Sequence, residues 1–225
     1  MTFQRALAWT LVALVTAFLG LQAWYFAQVV MLARVDPDSS AYMVSLRERT
    51  GQPVTQAWVD GPAIAPALAR AVLAAEDARF TMHYGVDWIE VARARADNVE
   101  QGRIVRGAST ITMQLARNLF LSGRQNYWRK AQEVLIAFML EAALGKQRIL
   151  VLYLNLAQWG RTVFGAEAAA RHYFGVPAAR LSDEQAAWLA AILPSPAYYD
   201  EHRDTAYIMA RQTSLLRQMD QVRLP

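Results

Sequence analysis

The stretch "WRKAQEVLIAFMLEAALG", residues 128–145, sets the fold class. From Val134 to Leu144 it is apolar on every side except at Glu141, and a helix apolar all round belongs inside a protein or a bilayer. The run is shorter than the roughly 20 residues a bilayer crossing needs, so it predicts a buried core helix. Its charges gather at the entrance, with Arg129 and Lys130 at i−4 and i−3 from Glu133. A carboxylate entering a core needs partners. The basic pair supplies them, or binds an anion beside it. An ordinary Arg129–Glu133 salt bridge, worth a few tenths of a kcal/mol, would explain this helix and nothing beyond it.

Upstream, "RGASTITMQLARNLF" (106–120) places Ser109 and Thr110, good N-cap residues, at the start of a helix. Free N–H groups and the helix dipole at such a start attract phosphate. Thr110, Gln114 and Arg117 fall on one face, and Ile111, Leu115 and Leu119 on another. The alternative is a capped surface helix whose polar face is simply wet. Further back, "AAEDARFTMHYG" (74–85) continues a pattern that opens at Pro66. It predicts a helix to His83, stopped by Gly85, with Glu76, Phe80 and His83 on one side. Asp77, about 100° around that helix, is expected to hold the local fold, and His83 to be structural.

The N-terminus carries no charge from Ala6 to Ala33, which is long enough to span a bilayer and longer than the core of a cleaved signal peptide. Residues 1–34 therefore read as an uncleaved anchor. Charges at Arg5, Arg34, Asp36 and Asp38 lean toward an N-in, C-out orientation. Residues 35–62 read as a turn-rich linker with a hairpin, with Tyr42, Met43 and Val44 dipping into lipid. Residues 63–225 read as one compact, mainly α unit. Within it, 86–105 suggests a short helix and a mobile loop, Asn155 a backbone contact, Gly165 a close approach, Ser182 with Gln185 a capping box, and 205–219 a closing amphipathic helix.

Composition narrows the partners. The net charge of +4 and pI of about 9.6 come almost wholly from arginine, since Lys130 and Lys146 are the only lysines. Guanidinium groups suit phosphate or carboxylate, so an anionic ligand or lipid surface is expected, and nucleic acid is not. With no cysteine there is neither a disulfide framework nor a thiolate metal site. His83, His172 and His202 lack metal-ligand spacing.

These pieces, in this order, resemble the glycosyltransferase family 51 module, the monofunctional peptidoglycan glycosyltransferases also found in penicillin-binding proteins. "EDARFTMHYGVD", "GASTITMQLARNLF", "RKAQE", "KQRILVLYLN", "GAEAAARHYFG" and "LSDEQAAWLAAILPSP" carry the likeness, from near Trp58 to about Met219. The resemblance implies a lysozyme-like helical head with a membrane-facing jaw that polymerises lipid II into β-1,4 glycan. Glu76 would be the general base on the acceptor's 4-hydroxyl. Glu133 would stand near the departing pyrophosphate and organise it or its metal, for which Mg2+ or Mn2+ is the family expectation. Ser109, Thr110, Gln114, Arg117, Arg129 and Lys130 would bind substrate and pyrophosphate. Expected partners are lipid II, the growing strand, membrane lipid, and division or elongation proteins. No second, transpeptidase-sized domain fits within this sequence, so cross-linking is expected to fall to transpeptidases. The expected site is the outer side of the inner membrane. Met113, Val151 and Gln158 depart from the family's usual glutamine, glutamate and glutamate, removing hydrogen-bonding partners from the donor neighbourhood. Two other readings stand beside this one: a non-catalytic lipid II binding protein, and a lysozyme-like enzyme cleaving glycan with one glutamate.

Overall fold

The computed structural model describes residues 3–103, 107–121 and 126–225. Its helices are α1 (Phe3–Met31), α2 (Ala41–Thr50), α3 (Pro66–Glu76), α4 (Trp88–Glu100), α5 (Ile111–Phe120), α6 (Tyr127–Ala143), α7 (Lys146–Leu156), α8 (Ala166–Phe174), α9 (Asp183–Ile192), α10 (Pro196–Tyr199) and α11 (Ala206–Gln218). Short strands β1 (Thr55–Gln56) and β2 (Val163–Phe164) pair in parallel, Thr55 opposite Val163. Local chemistry sets most helix starts. Ser40, Asp87, Thr110, Asn126 and Thr205 each accept a backbone N–H of the first turn, and Ser182 with Gln185 forms a full capping box.

Two helix groups share one core. α3 packs against α9 and α11, while α5 packs against α2, α6 and α7. Asn155 joins the chain to the 55–59 segment by accepting from Val59 N at 3.0 Å and donating to Val59 O at 3.0 Å. Gly165 takes φ +82°, and a Cβ there would lie 2.8 Å from the Asn155 carbonyl oxygen, so this crossing requires glycine. Glu141, the polar exception in the apolar run, is buried. Its Oε1 accepts from Gly85 N at 3.0 Å, Thr112 Oγ1 at 2.7 Å and Lys146 Nζ at 2.7 Å, which offsets its desolvation.

α1 is long and apolar enough to cross a membrane, and among its described residues only Val29 is buried. It does not hang free of the head. Gln22 and Gln132 exchange side-chain hydrogen bonds at 3.1 and 2.9 Å, and Phe18 meets Trp128 with ring centroids 6.4 Å apart. Both pairings advance by four residues in the same direction, so α1 and α6 run parallel. Arg148 fastens the exit of α1 by donating to Leu32 O at 2.8 Å and Val35 O at 3.1 Å, and pairs with Asp36 at 2.8 Å.

Several expectations change. The helix from Pro66 ends at Glu76, Asp77 leaves helical geometry, and a 3-10 turn covers Phe80–Met82. Glu76, Phe80 and His83 therefore do not share a helix face, because polar partners of Asp77 outweigh the continuing pattern. Residues 35–62 hold no hairpin. They contain α2, and β1 pairs with distant β2. Met43 is 3% exposed within the core, so it does not dip into lipid. α4 continues to Glu100, past the expected short helix, while 104–106 lie outside the described residues. α6 is buried on one side only, where it packs against α5, and Leu135 on another side is exposed.

Candidate active site

Glu76 is the last residue of α3. Its Oε2 accepts from Gln114 Nε2 at 2.9 Å, and Gln114 Oε1 accepts from the Tyr153 hydroxyl at 3.0 Å. Burial lifts the Tyr153 phenol well above its ordinary value, so it stays a donor, and this fixes the Gln114 amide with its N–H toward Glu76. Burial likewise raises the Glu76 carboxyl, opposed by the Gln114 hydrogen bond and by the charges of Arg211 and Arg117. Arg211, on α11, holds a guanidinium nitrogen 3.9 Å from Glu76 Oε1. The result is a carboxylate fixed in place and more basic than usual, as a proton acceptor near neutral pH should be.

Asp77 does structural work, as expected. It accepts from Ile111 N at 3.0 Å and lies 2.9 Å from His83 Nε2, tying α3, the 3-10 turn and α5 together. At the α5 start, where a phosphate site is expected, two first-turn N–H groups already have partners within the protein. The N–H of Ile111 is taken by Asp77, and that of Met113 by the Thr110 hydroxyl at 3.1 Å. Thr110 is buried and donates to Gly85 O at 2.6 Å, so both its hydrogen-bonding roles are spent inside the protein. Thr110 serves as the cap of α5.

The second cluster centres on Glu133, only 1% exposed. Lys130 Nζ reaches its Oε1 at 2.6 Å and donates to Ser109 Oγ at 2.9 Å, while Arg129 stands 3.9 Å from Oε2. The i−4 pair is thus the loose one and the i−3 pair the tight one. Glu133 is thus buried behind the two cations. Among the described residues the buried Arg129 Nε has no hydrogen-bond partner, which leaves a free donor.

Two cavities are lined by the partners of the Glu76–Gln114 bond, one by Gln114 and the other by Glu76. The larger, about 730 Å³, is lined by Gln114, Arg117, Asn118, Arg129, Tyr153 and Gln158, with Tyr42, Ser45 and Arg49 of α2 opposite. The smaller, about 260 Å³, is lined by Glu76, Ser109, Asp87 and Glu90. Sequence reasoning missed Tyr153 and Arg211. Nothing local marks Tyr153 beyond its place in KQRILVLYLN, or an arginine on a closing helix as the neighbour of Glu76.

The described residues do not form a cage for Mg2+ or Mn2+. Among the described residues no group of three or more acidic or histidine side chains could hold an ion. Asp87 is spent on Ile89 N, Glu90 N and Arg79, and Asp77 on Ile111 and His83. The departures from the family pattern also find places. Met113 packs with Val86 and Ala137 away from the cavities. Val151 fills space against Gly61. Gln158 accepts from the Tyr42 hydroxyl at 2.9 Å and donates to Gly160 O at 2.8 Å, so that wall of the larger cavity keeps its hydrogen bonds.

Comparison with known proteins agrees with this arrangement. The family model described as Transglycosylase matches residues 43–220. A biosynthetic peptidoglycan transglycosylase of Alcanivorax borkumensis is 50% identical over 225 residues, covering 100% of this chain and 91% of that protein. A protein of the same name from Laribacter hongkongensis is 46% identical over 218 residues, covering 95% and 96%. Another from Bordetella pertussis is 51% identical over 213 residues, covering 91% and 88%. The match runs from within α2 to just past α11 and takes in both clusters around the cavities: this chain belongs to the transglycosylase family.

Proposed function

We propose that this protein polymerises peptidoglycan glycan strands from lipid II. Glu76 takes the proton of the acceptor sugar's 4-hydroxyl as that oxygen attacks the anomeric carbon of the donor. The carbon–oxygen bond to the donor's diphosphate breaks in the same displacement, undecaprenyl pyrophosphate leaves, and the centre inverts. Arg117, Arg129 and Lys130, with Ser109 holding Lys130, stabilise the charge that grows on the leaving diphosphate. Glu133 keeps Arg129 and Lys130 in position. Gln114 orients Glu76.

The observation that carries this reading is the relay from Tyr153 through Gln114 to Glu76, opening beside a cavity lined by Arg117 and Arg129. A hydrolase with a single glutamate would have no use for those cations. On this reading α1 holds the chain in the cell's inner membrane with the head on the outer side, where transpeptidases would cross-link its product.

The test is incubation of purified full-length protein with lipid II in detergent, with products separated by size. Wild type is expected to yield muramidase-sensitive strands. Glu76→Gln is expected to lose about 10²- to 10⁴-fold in turnover, the usual worth of a general base, while still binding lipid II. Bound lipid II without strands from wild type would instead establish a binding protein. Cleavage of preformed glycan would establish a hydrolase.

A further inference from the structure

The reaction proposed above brings two lipid-linked diphosphates together, the donor's, which leaves, and the acceptor's, which stays attached. The cations assigned to the leaving group, less the charge of Glu133, suit one diphosphate. A second anion needs a cation elsewhere in the same cavity. α2 presents Tyr42, Ser45 and Arg49 to it, at i, i+3 and i+7, one helical face. Its other side is turned inward, with Met43 in the core and Leu46 packed against it. Arg49 donates its Nε to Ser45 O at 3.2 Å. Its terminal guanidinium nitrogens have no protein acceptor among the described residues, and no carboxylate lines the cavity. Arg47, two residues earlier on α2, does not line it.

Resting on that reading, we propose that Arg49 binds an anionic group of the substrate pair, distinct from the leaving diphosphate. The chemistry is a phosphate or carboxylate oxygen taken by a planar, permanently charged donor. Its sources are the acceptor's diphosphate or a carboxylate of its peptide stem. Because Arg49 is exposed, the interaction weakens with salt.

The experiment measures binding of fluorescent lipid II to Glu76→Gln protein in neutral detergent, which holds substrate without turnover. Adding Arg49→Gln is expected to weaken binding about tenfold, the scale of one lost charge-assisted hydrogen bond. Arg49→Glu is expected to weaken it further, and Arg47→Gln to leave it unchanged. With Glu76 intact, Arg49→Gln should raise the KM for lipid II with kcat within about twofold, as expected for lost uniform binding. Repeating the binding with amidated stem carboxylates separates the sources: an Arg49 effect that vanishes assigns the carboxylate, and one that persists assigns the diphosphate. Binding by Arg49→Gln and Arg49→Glu within twofold of the parent would overturn the proposal. So would a loss seen only on anionic vesicles, since Arg49 would then be meeting lipid headgroups. Failure of wild type to polymerise would count against the reaction, while the binding series would still decide Arg49.

Discussion

At the scale of single residues, the chemistry turns on how Glu76 is held. Its carboxyl titrates above the ordinary value of 4.5 because it is buried, so the folded protein binds this proton more tightly than the unfolded chain does. The stability it contributes is full below the unfolded pKa and is lost as pH rises through the folded one. Glu76→Gln mimics the protonated form, so it should raise the melting temperature at about pH 7.5 and leave it nearly unchanged at about pH 3.5. Thermal unfolding at the two pH values checks this, and a lower melting point at neutral pH would contradict the burial argument. Arg211 works the other way. Its charge, 3.9 Å away, favours the carboxylate, helped by Arg117 on α5 and opposed by neighbouring Asp77. Arg211→Met should move the acid limb of the kcat/KM profile to higher pH. An unmoved limb would mean that solvent screens the pair.

At the scale of elements, the decisive joint is where α3 ends and α5 begins. Asp77 closes α3, accepts the first N–H of α5 and holds His83. Asp77→Ala would strand buried donors at roughly 1–3 kcal/mol each. It should destabilise the fold by at least about 2 kcal/mol in urea titration, and lower activity by loosening Gln114 from Glu76. Activity lost at unchanged stability would instead give Asp77 a direct chemical part. Gly165→Ala is expected to destabilise as well, since φ +82° and a 2.8 Å approach to the Asn155 carbonyl leave no room for a methyl group. A cost of about 1–3 kcal/mol is the scale for such strain, readable in the same titration.

At the scale of the whole molecule, the anchor and the head form one packed body through Gln22–Gln132 and the Arg148 clasp. Arg148→Ala should loosen the junction. With no native cysteine, spin labels at exposed positions 30 and 147 would report a broadened distance distribution, and an unchanged one would show that the glutamine pair suffices. Much of this architecture was legible beforehand. The apolar length of α1, the capping box at Ser182, the core side of α6 and the closing helix follow from periodicity and caps, which depend on neighbours a few residues apart. The motifs that mark Glu76 and the basic pair before Glu133 are local too. What the sequence determined by itself was therefore the helical class, the anchor and the inventory of chemical groups. Tertiary structure alone decided how they are used. It ended α3 at Glu76, spent the Thr110 hydroxyl in the core and buried Glu133 behind its cations. It also brought Tyr153 and Arg49 to the larger cavity and Arg211 to Glu76, from helices far apart in the chain. Burial and long-range hydrogen bonds are properties of the packed molecule, and no spacing along the chain encodes them.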